Sequence, residues 1–253
     1  MRIDIITLFP EMFEPVIATS IIGRARAAGY LDIRCHHLRD YTQDKHARTD
    51  FPLYGGGKGM LLHPQPIYNC VEAVKSQLGY KPYVVYMSPK GKTLTQKRAV
   101  ELSEKPEICI LCGHYEGVDQ RAVDLLVDEE ISIGDYVLTG GELPALVLTD
   151  CISRLCDGVL AGEECWQQES HGDGLLECPH YTKPSEWMGL AVPEVLVSGH
   201  HANIERWRRE QSLRKTLKTR PDLLEKADLT KADLDFLARL QQQNEAHAEE
   251  NKK

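Results

Sequence analysis

The chain has 253 residues, 42% hydrophobic and 27% charged, with a net charge of −8, the profile of a globular protein with length for a full core. No run of eighteen apolar residues occurs, which excludes a helical membrane span. The acidic total argues against an evenly basic nucleic-acid binder, but residues 201–220 hold seven arginines and lysines against two glutamates, a local +5 that leaves −13 elsewhere.

In chain order, Met1–Leu8 carries Asp4 inside an apolar stretch and reads as a buried first strand rather than a signal peptide, so a cytoplasmic protein is expected. Further strand-like runs at Leu31–Cys35, Tyr83–Met87, Ile108–Cys112 and Val127–Ile133 follow it. They alternate with helical patterns at Pro15–Ala28, Gln65–Leu78, Leu94–Leu102, Gln120–Leu126 and Glu142–Leu155. Such alternation predicts an α/β fold with a mainly parallel sheet, in one domain over residues 1–160. Residues 161–178 open with the polar, aperiodic AGEECWQQESHGDG and are expected to be a mobile linker. Residues 179–253 read as a small all-helical domain. Arg220-Pro221 breaks one helix, and Thr230-Lys231-Ala232-Asp233 is a capping box for the last.

Eight cysteines in a reducing compartment do not predict disulfides. Cys109 and Cys112 form a C-x-x-C on a strand, where an odd separation sends the thiols to opposite faces. No second C-x-x-C completes a zinc site, so both are expected in the core and no metal ligand is assigned.

Three strand-like runs end in glycine loops. Tyr83–Met87 leads into Ser88-Pro89-Lys90-Gly91, Ile108–Cys112 into Gly113-His114-Tyr115-Glu116-Gly117, and Val127–Ile133 into Gly134-Asp135-Tyr136 and on to Thr139-Gly140-Gly141. Ligands in open α/β sheets sit outside the carboxyl ends of strands, and glycines there admit close backbone approach. Any one loop taken alone reads as an ordinary turn; three within about sixty residues reverse that and favour a shared site for a flat ligand. Tyr54–Met60, YGGGKGM, is not a P-loop, because Gly59 follows Lys58 where Ser or Thr is needed. Its glycines still offer a backbone platform for a base or phosphate.

Glu169 in the polar linker and Arg154 at the end of the last helix of the first domain could together remove a proton and stabilise the resulting anion. Solvated surface charge is the competing reading for each. Arg206-Trp207-Arg208-Arg209 interleaves basic and aromatic residues as RNA contact requires, with Trp207 read as a core residue and the arginines as phosphate contacts.

Together these segments closely resemble the bacterial tRNA (guanine-N1-)-methyltransferases, a family of the knotted SPOUT-type superfamily. The resemblance runs nearly end to end, through TLFPEMF (Thr7–Phe13), YGGGKGM, YMSPKG (Tyr86–Gly91), CGHYEGVDQR (Cys112–Arg121), SIGDYVLTGGELPA (Ser132–Ala145), GLLECPHYTKP (Gly174–Pro184) and RWRREQSL (Arg206–Leu213). It implies a deep trefoil knot at the carboxyl end of the catalytic domain, an exception to unthreaded topology. It further implies S-adenosylmethionine as methyl donor, Mg2+ as a helper, tRNA as substrate, and a homodimer whose active site is shared between chains.

By match, Tyr86, Ser88 and Pro89, then Gly113, Tyr115, Glu116 and Gly117, would line the donor pocket. Ser132, Ile133, Gly134, Tyr136 and Leu138, with Gly140, Gly141 and Pro144, would complete it. Gly59, His201, Arg206, Arg208, Arg209 and Arg214 are the expected RNA contacts. Arg154 and Glu169 fall on the catalytic positions, although the family usually has aspartate where Glu169 stands. The implied reaction is methylation of N1 of guanosine-37, next to the anticodon, with Glu169 taking the N1 proton and Arg154 stabilising charge on O6. Two rivals are a non-catalytic RNA-binding protein with a knotted fold, and a knotted methyltransferase acting on another RNA.

Overall fold

Five apolar segments pair into one sheet: β1 (Arg2–Thr7), β2 (Asp32–His37), β5 (Val84–Thr93), β6 (Glu107–Cys112) and β7 (Glu129–Ser132). In this computed structural model, which describes residues 1–162, 164–167 and 169–250 and the side chains of all but Glu164 and 244–250, the order is β2-β1-β6-β5-β7 and every ladder of that sheet is parallel. The short β3 (Asp50–Pro52) and β4 (Met60–Leu62) form a separate antiparallel hairpin whose turn is the glycine platform.

The sheet separates two apolar clusters. Ile3 and Ile5 of β1, with Ile108, Ile110 and Cys112 of β6, face α1 (Glu14–Ile17), α2 (Ser20–Ala27), α4 (Gln96–Ser103) and α6 (Glu142–Ser153). Ile6, Cys109 and Leu111 face α3 (Pro64–Leu78) and α5 (Gln120–Leu126). This is the period of two that a strand buried on both faces requires. Cys109 and Cys112 therefore sit in different clusters, and burial pushes both thiols well above their usual range.

The helix expected over Pro15–Ala28 is instead two, α1 and α2, with Ala18 and Thr19 between them. The Thr19 hydroxyl reaches the Pro15 and Val16 carbonyls, both at 3.0 Å, and competes with the helical ladder. β5 is longer than expected. Ile131 of β7 pairs with both Met87 and Lys92, so Ser88–Gly91 bulge out of the strand. Gly91 has no alternative there, because a Cβ would strike the Glu130 carbonyl group.

The chain divides into two compact units, Met1–Glu163 and Glu164–Lys253, so the residues expected to form a linker fall largely with the second. That unit holds α7 (Glu164–Gln167), β8 (Glu186–Trp187), β9 (Leu190–Ala191), α8 (Glu194–Val197), α9 (His201–Thr219), α10 (Pro221–Leu224) and α11 (Lys231–Glu250). The all-helical expectation is corrected by the β8–β9 pair. Its turn residues Met188 and Gly189 have φ of 53° and 78°, the positive values of a tight two-residue hairpin.

Leu175, Leu213 and Leu237 form the second unit's core. Leu176 N donates to Thr216 Oγ1 at 2.9 Å, and Ser212 Oγ donates to the Leu176 carbonyl. Residues 175 and 176, expected in a mobile linker, are thus packed and hydrogen-bonded to α9. The capping box forms as expected: Thr230 N donates to Asp233 Oδ2 at 2.9 Å and Asp233 N to Thr230 Oγ1 at 3.2 Å.

Candidate functional site

The Ser88–Gly91 bulge within β5 and the glycine loops that follow β6 and β7 converge around a cavity of about 240 Å³. All fifteen positions assigned to the donor pocket, from Tyr86 to Pro144, line it. The packing explains the residue types. Tyr86 is buried, which pushes its phenol up to about 12, and a Cβ on Gly113 would come 2.7 Å from its hydroxyl. Tyr115 has a φ of 60°, and Gly117 and Gly134 have φ of 116° and 147°. Backbone amides and carbonyls are thereby turned in ways that ordinary side chains resist.

Local bonds hold each loop. Ser88 Oγ accepts from Lys90 N at 3.2 Å. Ser132 Oγ donates to the Gly134 carbonyl at 2.9 Å and accepts from Gly134 N at 3.1 Å. The loops are also tied to one another: Gly141 N donates to Gly113 O at 2.7 Å, and His114 and Gly140 form an isolated antiparallel bridge. A Cβ on Gly141 would lie 2.8 Å from Cys112 Cα and Gly113 N, so close passage against β6 requires glycine.

The glycine platform reaches this site. Glu116 N donates to Met60 O at 3.0 Å, and Leu62 N to Gly117 O at 2.9 Å. Gly59, at a φ of 107°, lies where a Cβ would meet the Glu116 carboxylate at 2.6 Å. A residue assigned to RNA thus adjoins one that lines the cavity.

Arg154 caps the carboxyl end of α6 in the first unit. Glu169 lies in the second, lining a cavity of about 590 Å³ with Asp173, Glu177, His180, Arg208 and Arg209. Asp173, four residues on from Glu169, accepts from Leu175 N at 3.1 Å and pairs with Arg209 at 2.7 Å.

The basic helix is α9, and the structure sorts its arginines. Arg206 and Arg208 are exposed and pair along the helix with Glu210 and Glu205 at 3.0 and 2.8 Å. Such surface pairs hold weakly and exchange readily for a phosphate. Arg209 is half-buried and grips Asp173 and Asp233 while donating to the Asp228 carbonyl. Arg214 lies with its guanidinium 5.9 Å from the centre of the Phe236 ring. His201 is the exposed first residue of α9, and Trp207 is half-buried with its ring 6.3 Å from that of Tyr181.

His114, Val137 and Thr139 also line the cavity and Glu142 lies beside it, although none of the four is among the expected site residues. All four stand inside the quoted segments GHYEG and SIGDYVLTGGELPA. A histidine within a glycine loop and a glutamate opening an apolar helix were the available signals.

A profile described as tRNA (Guanine-1)-methyltransferase TrmD matches residues 1–226. Among curated proteins, a tRNA (guanine-N(1)-)-methyltransferase of Ruminiclostridium cellulolyticum is 53% identical over 226 residues, 89% of this chain and 97% of its own length. The protein of that description from Halalkalibacterium halodurans is 48% identical over 97% of this chain and all of its own. A third, from Dehalococcoides mccartyi, is 49% identical over the full length of both.

Proposed function

The chain belongs to the tRNA (guanine-1)-methyltransferase TrmD family, a family of methyl-transferring enzymes, and we propose that it moves the methyl group of S-adenosylmethionine to N1 of guanosine-37 in tRNA. One observation carries the reading of the donor site: glycine-bearing segments of three adjacent strands, the bulge in β5 and the loops after β6 and β7, enclose a single cavity. The residues fit the donor. Backbone polar groups and the tyrosines Tyr86, Tyr115 and Tyr136 suit an adenosine, and the glycines admit it closely.

Neutral guanine N1 carries a proton, so its lone pair is unavailable until that proton leaves. Glu169 takes it as general base. Arg154 stabilises the negative charge that develops on O6. When bound, the donor supplies an electrophilic methyl group on a sulfonium centre. Asp173, four residues on, holds Arg209 and the Leu175 amide. Among the described residues no group of three or more His, Cys, Asp or Glu side chains is arranged for a metal ion, so no step is assigned to Mg2+.

Residues 1–160 are the catalytic domain in this reading and 179–253 the tRNA-binding domain, with Arg206, Arg208, His201 and Gly59 as RNA contacts. The chain leaves β7 at the sheet edge and returns through residues 133–141 to lie against β6, and we read that return as the threading of a trefoil knot. The active protein is a homodimer with sites shared between chains. Leu143 and Val147, one turn apart on α6, together with nearby Met12, leave an apolar surface suited to a second copy. The location is cytoplasmic, where tRNA is modified; no helix among the described residues is long and apolar enough to cross a membrane.

The test is incubation of the full chain with methyl-labelled S-adenosylmethionine and unmodified tRNA, followed by mapping of the label. Label at N1 of guanosine-37 is expected. Label on another base or a ribose would assign a different RNA target, and donor-free RNA binding alone would make this a binding protein.

A further inference from the structure

Thr7 Oγ1 on β1 donates to Glu142 Oε1 at 2.9 Å and so fixes a carboxylate that is only 2% exposed, at the first position of α6. The other oxygen, Oε2, faces His114 Nδ1 across 3.7 Å, which is too long for a hydrogen bond. That nitrogen is buried and has no hydrogen-bond partner. A buried ring nitrogen that stops short of the carboxylate oxygen beside it is a desolvated group one hydrogen bond short. The imidazole is held in place meanwhile, with its ring 5.0 Å from Phe9 and edge-on to Tyr115 at 4.8 Å.

Gly140 keeps the gap open. A Cβ at this position would strike Glu142 Oε2 and lie 2.6 Å from His114 Nδ1. Gly140 also bridges to His114 through the backbone, and its neighbour Gly141 bonds to Gly113. The unmade contact therefore stands where the loop after β6 meets the loop after β7, two of the three walls of the cavity. His114, Thr139 and Gly140 line both that cavity and an adjoining depression of about 220 Å³ floored by Glu142.

We propose that His114 and Glu142 are positioning residues for the methyl donor. Donor binding brings the two loops closer by roughly 0.8 Å, enough to bring Nδ1–H into ordinary hydrogen-bond range of Oε2. The new bond clasps the loops around the ligand, while Thr7 anchors the carboxylate to the sheet. The inference rests on the reading of the cavity as the S-adenosylmethionine site. Position 142 acts through 114, and neither residue exchanges a proton with the reacting base.

A double-mutant cycle on the full chain tests this, with S-adenosylhomocysteine titrated calorimetrically. His114→Phe keeps the ring packing and deletes the donor. Glu142→Gln keeps the shape and the Thr7 contact but removes the charge. Each single change is expected to weaken binding roughly tenfold to a hundredfold, the range for a hydrogen bond to a charged group. The double variant is expected to be no weaker than the worse single one, because both remove one bond. His114→Asn, whose amide nitrogen replaces Nδ1, is expected to restore most of the affinity. KM for the donor rises while kcat at saturating donor holds, and the ligand-free Tm of His114→Phe stays near wild type, since the bond is not made without ligand.

Unchanged affinity in both single variants overturns the inference. So do losses that multiply in the double variant, or a drop in ligand-free Tm that accounts for them. If Glu142→Gln does not fold, Thr7 gives the second route: Thr7→Ser is expected to bind normally and Thr7→Val weakly, and equal binding by the two overturns the clasp. Wild-type chain that binds no S-adenosylhomocysteine overturns the donor site itself, a result distinct from a failed cycle on a chain that binds.

Discussion

Arg209 on α9 holds Asp233 at the start of α11 through two contacts, 3.2 Å from Nε and 3.0 Å from a terminal nitrogen. Asp233 is also the carboxylate of the capping box, accepting from Thr230 N. One side chain therefore both caps the last helix and ties it to α9. Arg209→Ala should lower the stability of the second unit by an amount on the order of 1–3 kcal/mol, because it leaves a buried carboxylate short of its partner. Thermal unfolding of the variant checks this; an unchanged Tm would mean that Arg209 is free for another role.

The same carboxylate sets a pH dependence. Burial works against ionisation of Asp233, but the hydrogen bonds from Arg209 and Thr230 outweigh it and hold its pKa below the usual value. A depressed carboxylate contributes stability above its unfolded pKa of about 3.9, and loses it as pH falls from there through the folded value. The second unit should therefore lose stability on acidification below about pH 4. Asp233→Asn should be less stable near neutrality and show a shallower acid loss. Parallel acid profiles for the variant and the wild type would contradict the assignment.

In the proposed reading Arg206 and Arg208 contact RNA, and each pairs along α9 with an acidic neighbour, Glu210 and Glu205. Arg206→Glu with Arg208→Glu should weaken tRNA binding and reduce the slope of log affinity against log salt by roughly one unit per lost phosphate contact. Donor affinity should not change. Filter binding across a salt series reads both, and an unaltered slope would place the RNA elsewhere.

Glu169→Gln should leave a folded chain that binds the donor but transfers methyl about 10²–10⁴-fold more slowly, the usual contribution of a positioned general base. Glu169→Asp should retain much of the rate, since it keeps a carboxylate on the same segment. Asp173→Asn should act differently, by loosening Arg209 and the Leu175 amide and lowering Tm. Single-turnover rates and melting curves for the three variants separate the roles. An active Glu169→Gln chain beside an inactive, fully stable Asp173→Asn chain would exchange the assignments.

Gly141→Val should damage folding as well as donor binding, because the new Cβ meets the backbone of Cys112 and Gly113 at 2.8 Å and those atoms cannot swing away. Gly140→Ala is the milder change, meeting only the ends of the Glu142 and His114 side chains. It should fold and lose donor affinity. Normal donor affinity in a folded Gly141→Val chain would remove this loop from the site.

Much of this protein follows from local chemistry that the sequence alone displays. Alternation of apolar runs with helical periods fixes the α/β class. Odd spacing sends Cys109 and Cys112 to opposite faces, and Thr230-x-x-Asp233 starts the last helix. The glycine segments mark the cavity because loops after neighbouring parallel strands open at one edge of the sheet; that the first of them is a bulge inside β5 shows only in the pairing with β7. These are effects of period, capping and backbone freedom, which act over a few residues. What only the tertiary structure decided is which side chain meets which. Arg209 reads in the sequence like Arg206 and Arg208, yet its helix face turns it toward Asp233, 24 positions on. Glu142 reads as the acidic first residue of an apolar helix, yet the packing of α6 buries it between Thr7 and His114, 135 positions after Thr7. Pairings of that kind depend on how the elements pack on the sheet, and no pattern within a single element contains them.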